Sequence, residues 1–175
     1  MSKSKLPVVV VAGLVVAAAG YWAVRSLGPG VVRPGPAGGW SPSGPQPRLA
    51  TVRLWLGPQE VVAELAREPA EIMTGMMFRT NLAPNEGMLF LLRVPQQASF
   101  YMRNTLLPLS CAYINGEGVI LEVHDMKPRD ETPILSATRD VEFVLEMNQG
   151  WFETNHIGPG TVVVSDRGKL RALER

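Results

Sequence analysis

One cysteine, Cys111, and two histidines, His124 and His156, are all the thiol and imidazole groups that this 175-residue chain holds. A single cysteine excludes an internal disulfide. Its distance from the N-terminus also excludes lipid attachment at a cysteine that directly follows an apolar leader. Two histidines so far apart, with one cysteine, fit no zinc spacing, and neither a metal nor a cofactor is expected. Acidic residues are missing from the first 48 positions, where Lys3, Lys5, Arg25, Arg33 and Arg48 carry the only charges. The remainder holds twelve basic against sixteen acidic residues, a net of −4. A mildly acidic body without a Lys/Arg cluster argues against a nucleic-acid partner.

Charge is absent altogether from Leu6 to Val24, LPVVVVAGLVVAAAGYWAV, which Lys3 and Lys5 precede and Arg25 follows. As a helix, this run would be about 29 Å long, close to the ~30 Å hydrocarbon core of a bilayer. The expectation is a short cytoplasmic N-terminus, 1–5, and a transmembrane signal anchor, 6–27, with Tyr21 and Trp22 near the far interface. The alternative is a signal peptide cut near Ala19, within Ala17-Ala18-Ala19, which would release a secreted protein. Lys3 and Lys5 favour the cytoplasmic side, so the C-terminal region is expected in the periplasm, held by a single pass through the cell membrane.

Gly and Pro make up twelve of the twenty residues from Gly28 to Pro47. Such a composition cannot bury a core, and 28–48 is read as a linker that would reach about 60 Å if fully extended. From 49 to 175 the signals are mostly those of strands. Thr51 to Leu56 and Val61 to Leu65 read as a hairpin about Gly57-Pro58. Glu68-Pro69 opens a short helix, with Glu71 in its first turn and Ile72, Met73, Met76 and Met77 on its apolar face. Met88 to Leu92 suits a strand buried on both faces, and Ser99 to Arg103 reads as another. Asn115-Gly116 suggests a tight turn between Cys111–Ile114 and Val119–Val123. Val141 to Glu146 reads as a strand, Gln149 to Asn155 as a short helix, and Gly158-Pro159-Gly160 as the lead into Thr161–Val164. The expected fold is α+β and β-rich, a compact barrel or sandwich of seven to nine short strands with two short helices.

A series of blocks runs in order through this region: Gly75-Met76-Met77-Phe78-Arg79, Gly87-Met88-Leu89-Phe90, Phe100-Tyr101-Met102-Arg103-Asn104-Thr105 with Pro108-Leu109, Val144-Leu145-Glu146, Gly150-Trp151 and Gly158-Pro159-Gly160. From about Val52 to Val164 the chain resembles the prokaryotic family known as domain of unknown function 192. That resemblance implies a small β-rich fold, often behind a signal or anchor, and no activity. Members often carry Leu-Asp where this chain has Leu109-Ser110, so any pocket role of that aspartate in relatives would here lack its negative charge, and the resemblance carries no catalytic role over to Ser110.

Arg79, Asn104 and Thr105 are the candidates for ligand contact, because a guanidinium fork beside an amide and a hydroxyl suits a carboxylate, phosphate or sugar group. Glu86 and Ser110 adjoin them in the same blocks. The competing reading makes Asn104 and Thr105 turn residues and pairs Arg79 with Glu86. Cys111 reads as a buried thiol rather than a nucleophile. His124 and Asp125, adjacent in a strand, would point to opposite faces. No catalytic residue is identified. Two functions follow: a membrane-tethered extracytoplasmic module that binds a small polar or anionic ligand or an envelope protein, or a cell-envelope hydrolase acting on polar cell-wall or carbohydrate material.

Overall fold

The computed structural model describes residues 42–174; the expected membrane segment, 6–27, and most of the linker, 28–48, lie outside them. Among the described residues no helix is long and apolar enough to cross a membrane. The first hairpin forms as the alternation predicts. β1 (Thr51–Leu56) pairs antiparallel with β2 (Gln59–Ala66), and Gly57 takes φ 58 in the turn. Next comes α1 (Pro69–Thr74), with Pro at its start and a capping box in which the Glu71 carboxylate accepts from the Glu68 amide. Gly75 ends this helix at φ 47, ψ −132, a combination open to glycine. Met76 and Met77 therefore lie beyond the helix rather than on its face, yet both remain buried.

A crossover through α1 carries the chain to β3 (Glu86–Gln96), which pairs parallel with β2. Met88 to Leu92 is buried on both sides, as a continuous apolar run requires. β4 is only Ser99–Phe100, paired with β7 (Ile134–Leu135). The strand expected to Arg103 stops there, since Met102 and Thr105 close a turn (Thr105 N donates to Met102 O, 3.1 Å) in which Asn104 has φ 53. β5 (Leu109–Ile114) and β6 (Ile120–Met126) form the second hairpin. Its left-handed residue is Gly118, φ 84, not Asn115 or Gly116; Asn115 instead accepts the Glu117 and Val119 amides through Oδ1. β8 (Val141–Asn148), α2 (Trp151–Thr154), β9 (Val163–Ser165), β10 (Gly168–Lys169) and a 3-10 helix (Leu170–Glu174) complete the chain.

Eight strands form one sheet in the order β10-β9-β1-β2-β3-β8-β5-β6. It is an open sheet, not the closed barrel or sandwich expected, and ten strands replace seven to nine. The surplus comes from two-residue strands too short to show alternation. The ends of the sheet meet at a corner, where Val119 and Val162 form an isolated bridge and Ile120 N donates to Thr161 O at 2.9 Å. Pro159, which lacks an amide donor, and the turn before β9 limit pairing there to that corner.

Both faces of the central strands are covered. The first face gathers Leu54, Leu65, Leu89, Leu145 and Phe143 with Trp151 and Phe152 of α2 and Leu170 and Leu173 of the 3-10 helix. On the second face, Met88, Phe90, Cys111, Tyr113 and Val144 pack under Ile72, Met76, Met102 and Leu107. Of the candidate residues, Arg79, Asn104 and Thr105 lie over or beside this second face.

Candidate ligand-binding site

Two segments meet over the second face, and both are held in left-handed backbone. Phe78 has φ 61 and Asn104 φ 53, and the Phe78 amide donates to the Asn104 carbonyl at 2.8 Å. Asparagine tolerates this conformation, whereas a bulky Phe pays about 1 kcal/mol or more for it, a strain that concentrates at functional sites. The contact brings Arg79 beside Asn104. Arg79 Nη2 lies 2.8 Å from Glu64 Oε2, with side chains only 13% and 6% exposed. Glu64 Oε2 also accepts the Leu49 amide at 2.8 Å.

The expected partner of Arg79, Glu86, is engaged elsewhere. Glu86 pairs with Arg48 at 3.3 Å, on an exposed rim. The reason is register: Glu64 on β2 stands opposite Met88 and faces inward, whereas Glu86, at the start of β3, lies at the edge. With Nη2 held by Glu64, Arg79 Nε is buried and meets no acceptor among the described residues. Asn104 is half-buried, and its side-chain amide likewise finds no partner among them. Thr105 is buried but committed to its own loop: its hydroxyl donates to Arg103 O at 3.3 Å, and its carbonyl accepts the Arg129 amide at 3.1 Å.

Ser110 belongs to the other face. Its Oγ donates to Asp125 Oδ1 at 2.5 Å and accepts the Gly150 amide at 2.9 Å. A carboxylate therefore does stand beside position 110, supplied by the residue directly opposite on β6. Asp125 and His124 point apart, as strand geometry dictates. His124 Nε2 lies 2.9 Å from Glu122 Oε2 instead.

Sequence reasoning passed over one residue of the second face, Glu146. The registers of β2, β3, β8, β5 and β6 align Glu64, Met88, Glu146, Cys111 and His124 in a single row across five strands. Glu146 is 5% exposed, and no hydrogen bond or ion pair reaches it among the described residues. Burial alone pushes its carboxyl up to about 8, so it is largely protonated at neutral pH. The same environment pushes the Cys111 thiol up to about 12, first through burial and then through Glu146, which leaves it inert as a nucleophile. An acid interrupting the apolar run Val141 to Met147 was the available signal, since burying a charge without a partner is costly. No group of three metal-ligating side chains occurs among the described residues. What the site offers is a guanidinium with a free donor, a free amide and a neutral carboxyl.

No curated protein matches the chain significantly. A candidate transcription regulator from Sinorhizobium meliloti 1021 is similar in structure, with a TM-score of 0.65 and 31% identity over 69% of this chain and 97% of that one. A protein of unknown function from Novosphingobium aromaticivorans DSM 12444 is also similar, with a TM-score of 0.59 and 37% identity over 66% of this chain and 84% of that one. Residues 52–165 match the family described as uncharacterized ACR, domain of unknown function 192. The chain belongs to that family.

Proposed function

We propose that this domain binds a small polar ligand through an acceptor oxygen at Arg79, and that it does so outside the cytoplasm, tethered to the membrane by residues 6–27. The observation that carries the binding reading is the buried, unpaired Nε of Arg79. A buried donor without a partner costs about 1–3 kcal/mol, and more when charged, so a ligand that supplies a carboxylate, phosphate or carbonyl oxygen recovers that cost. Asn104, whose carbonyl accepts the amide of neighbouring Phe78, adds a second free polar side chain on the adjoining loop. The tether rests on the charge-free run of spanning length and on the lysines before it.

Hydrolysis of envelope material is less favoured. An acid–base mechanism needs two titratable groups in mutual reach; Glu146 has no hydrogen-bonded partner among the described residues, and the pair that is in reach, His124 with Glu122 at 2.9 Å, lies on the edge strand β6, away from Arg79. The name of the Sinorhizobium relative points toward DNA, but the net −4 of the region beyond residue 48 speaks against a phosphate backbone as the partner of this chain.

The test is a thermal-shift screen of the full-length protein in detergent with acetate, inorganic phosphate, D-glucose and D-glucuronate, on wild type and Arg79→Lys. Lysine keeps a cation for Glu64 but lacks the Nε donor. The expected result is a ligand-induced shift in wild type that Arg79→Lys loses, with little change in the unliganded melting temperature. An equal shift in both proteins would move the ligand elsewhere; none in either would end the reading for these ligand classes.

A further inference from the structure

We propose that Glu146 is the second recognition group of the Arg79 site, binding a neutral polar group of the same ligand, so that the ligand class is a hydroxy acid or sugar acid. The proposal rests on the binding reading above and names its chemistry.

Three observations place the two groups together. Glu64, which anchors the Arg79 guanidinium, and Glu146 lie on the same face, one on either side of Met88 in register. Strands about 4.8 Å apart separate their backbones by about 10 Å, the span of a small organic acid. Arg79 Nε is buried with no acceptor, and the side chain of Glu146, 5% exposed, makes no hydrogen bond among the described residues. A buried donor without a partner is uncommon in a folded protein, and an unbonded acid on the same sheet face as the Glu64 that holds this guanidinium strengthens the case.

The two ends ask for different chemistry. The guanidinium, already neutralised on one side by Glu64, still presents a charged donor and suits an anionic oxygen. The carboxyl of Glu146 stands among Met88, Cys111 and Tyr113, where a negative charge is unfavourable. As the acid it donates through O–H and accepts through C=O, which matches a hydroxyl group in either role. A second anion at that end would be excluded. A ligand with one carboxylate and one or more hydroxyls fits both ends, whereas acetate fits only the first and glucose only the second.

Calorimetric titration of the full-length protein in detergent tests this with D-glucuronate and acetate, on wild type, Glu146→Gln, Glu146→Met and Arg79→Lys. Glutamine keeps a neutral hydrogen-bonding head of the same shape; methionine keeps the volume and removes it. Wild type is expected to bind glucuronate at least tenfold more tightly than acetate. Glu146→Gln should stay within about threefold of wild type for glucuronate, and Glu146→Met should fall to the acetate level while its acetate affinity is unchanged. Arg79→Lys should lose both ligands. If Glu146→Met binds glucuronate as wild type does, or loses acetate equally, the role of Glu146 is overturned while the Arg79 reading stands. If wild type binds neither ligand, both fall. Melting curves of each variant establish that it is folded; should Glu146→Met fail to fold, a tenfold or greater preference for glucuronate in Glu146→Gln sustains the proposal and no preference overturns it.

Discussion

Two acids on one sheet face show how differently burial treats the same side chain. Glu64 is buried beside a cation and remains paired; Glu146 is buried beside sulfur and aromatic groups and becomes neutral. Removing Arg79 would leave the buried Glu64 with only the Leu49 amide and the exposed Arg48 at 3.7 Å, so Arg79→Ala is expected to cost about 3 kcal/mol in urea denaturation, the low end for breaking a buried pair. Combining it with Glu64→Gln should recover much of that loss, and a double variant as unstable as the single one would contradict the coupling. Glu146 gives a pH signature instead. Its carboxyl is raised from 4.5 to about 8, so between those values the folded chain keeps a proton that the unfolded chain has released. Stability must then fall as pH rises through this window, by up to about 1.4 kcal/mol per pH unit from this group. Urea midpoints at about pH 5 and about pH 8 should differ more in wild type than in Glu146→Gln, which carries no titrating group there. Identical differences would show that Glu146 titrates normally.

Strands and helices with strong local patterns were readable from the sequence, and those set by distant partners were not. The hairpin of β1 and β2 and the buried run of β3 follow from alternation and apolar continuity, and the capping box fixes the start of α1. By contrast, β7 and β10 exist only because a neighbouring strand offers two paired positions, and the left-handed Asn104 in the turn after β4 is held by Phe78, 26 positions earlier. The same division applies to the site. Arg79 and Asn104 stood out as polar residues in ordered blocks, whereas Glu64 and Glu146 entered only through register across β2, β3 and β8. Register is tight at one point. A Cβ on Gly87 would come within 2.5 Å of both the Glu146 carbonyl oxygen and Met147 Sδ. Gly87→Ala must therefore push β3 from β8 directly beside Glu146, and is expected to destabilise by about 2 kcal/mol or more. Gly168→Ala, at a turn with nothing within 4 Å, provides the comparison, since only its φ of 95 is strained. Denaturation midpoints check this, and an equal loss at both sites would remove the packing argument.

For the molecule as a whole, the question is where the tether ends and the domain begins. Composition put that boundary at residue 49, yet the last linker residues are bonded to the folded body. Gln46 Nε2 donates to the Gly75 carbonyl at 2.9 Å and to the Glu71 carbonyl at 3.2 Å, which satisfies the open end of α1. Arg48 reaches Glu86 at 3.3 Å and Glu64 at 3.7 Å. These contacts hold the turn from Gly75 to Arg79, the segment that carries the free guanidinium donor. The exposed Arg48 pairs contribute little, but Gln46 caps the Gly75 carbonyl and adds a second donor to the Glu71 carbonyl, which already accepts the Gly75 amide. A fragment beginning at residue 49 is therefore expected to melt about 3 °C or more below one beginning at residue 42, while both fold cooperatively. Gln46→Ala in the longer fragment should reproduce most of that difference. If the longer fragment gains nothing over the shorter one, residues 42–48 belong functionally to the linker; if Gln46→Ala also weakens binding at Arg79, the tether's last turn is a working part of the site.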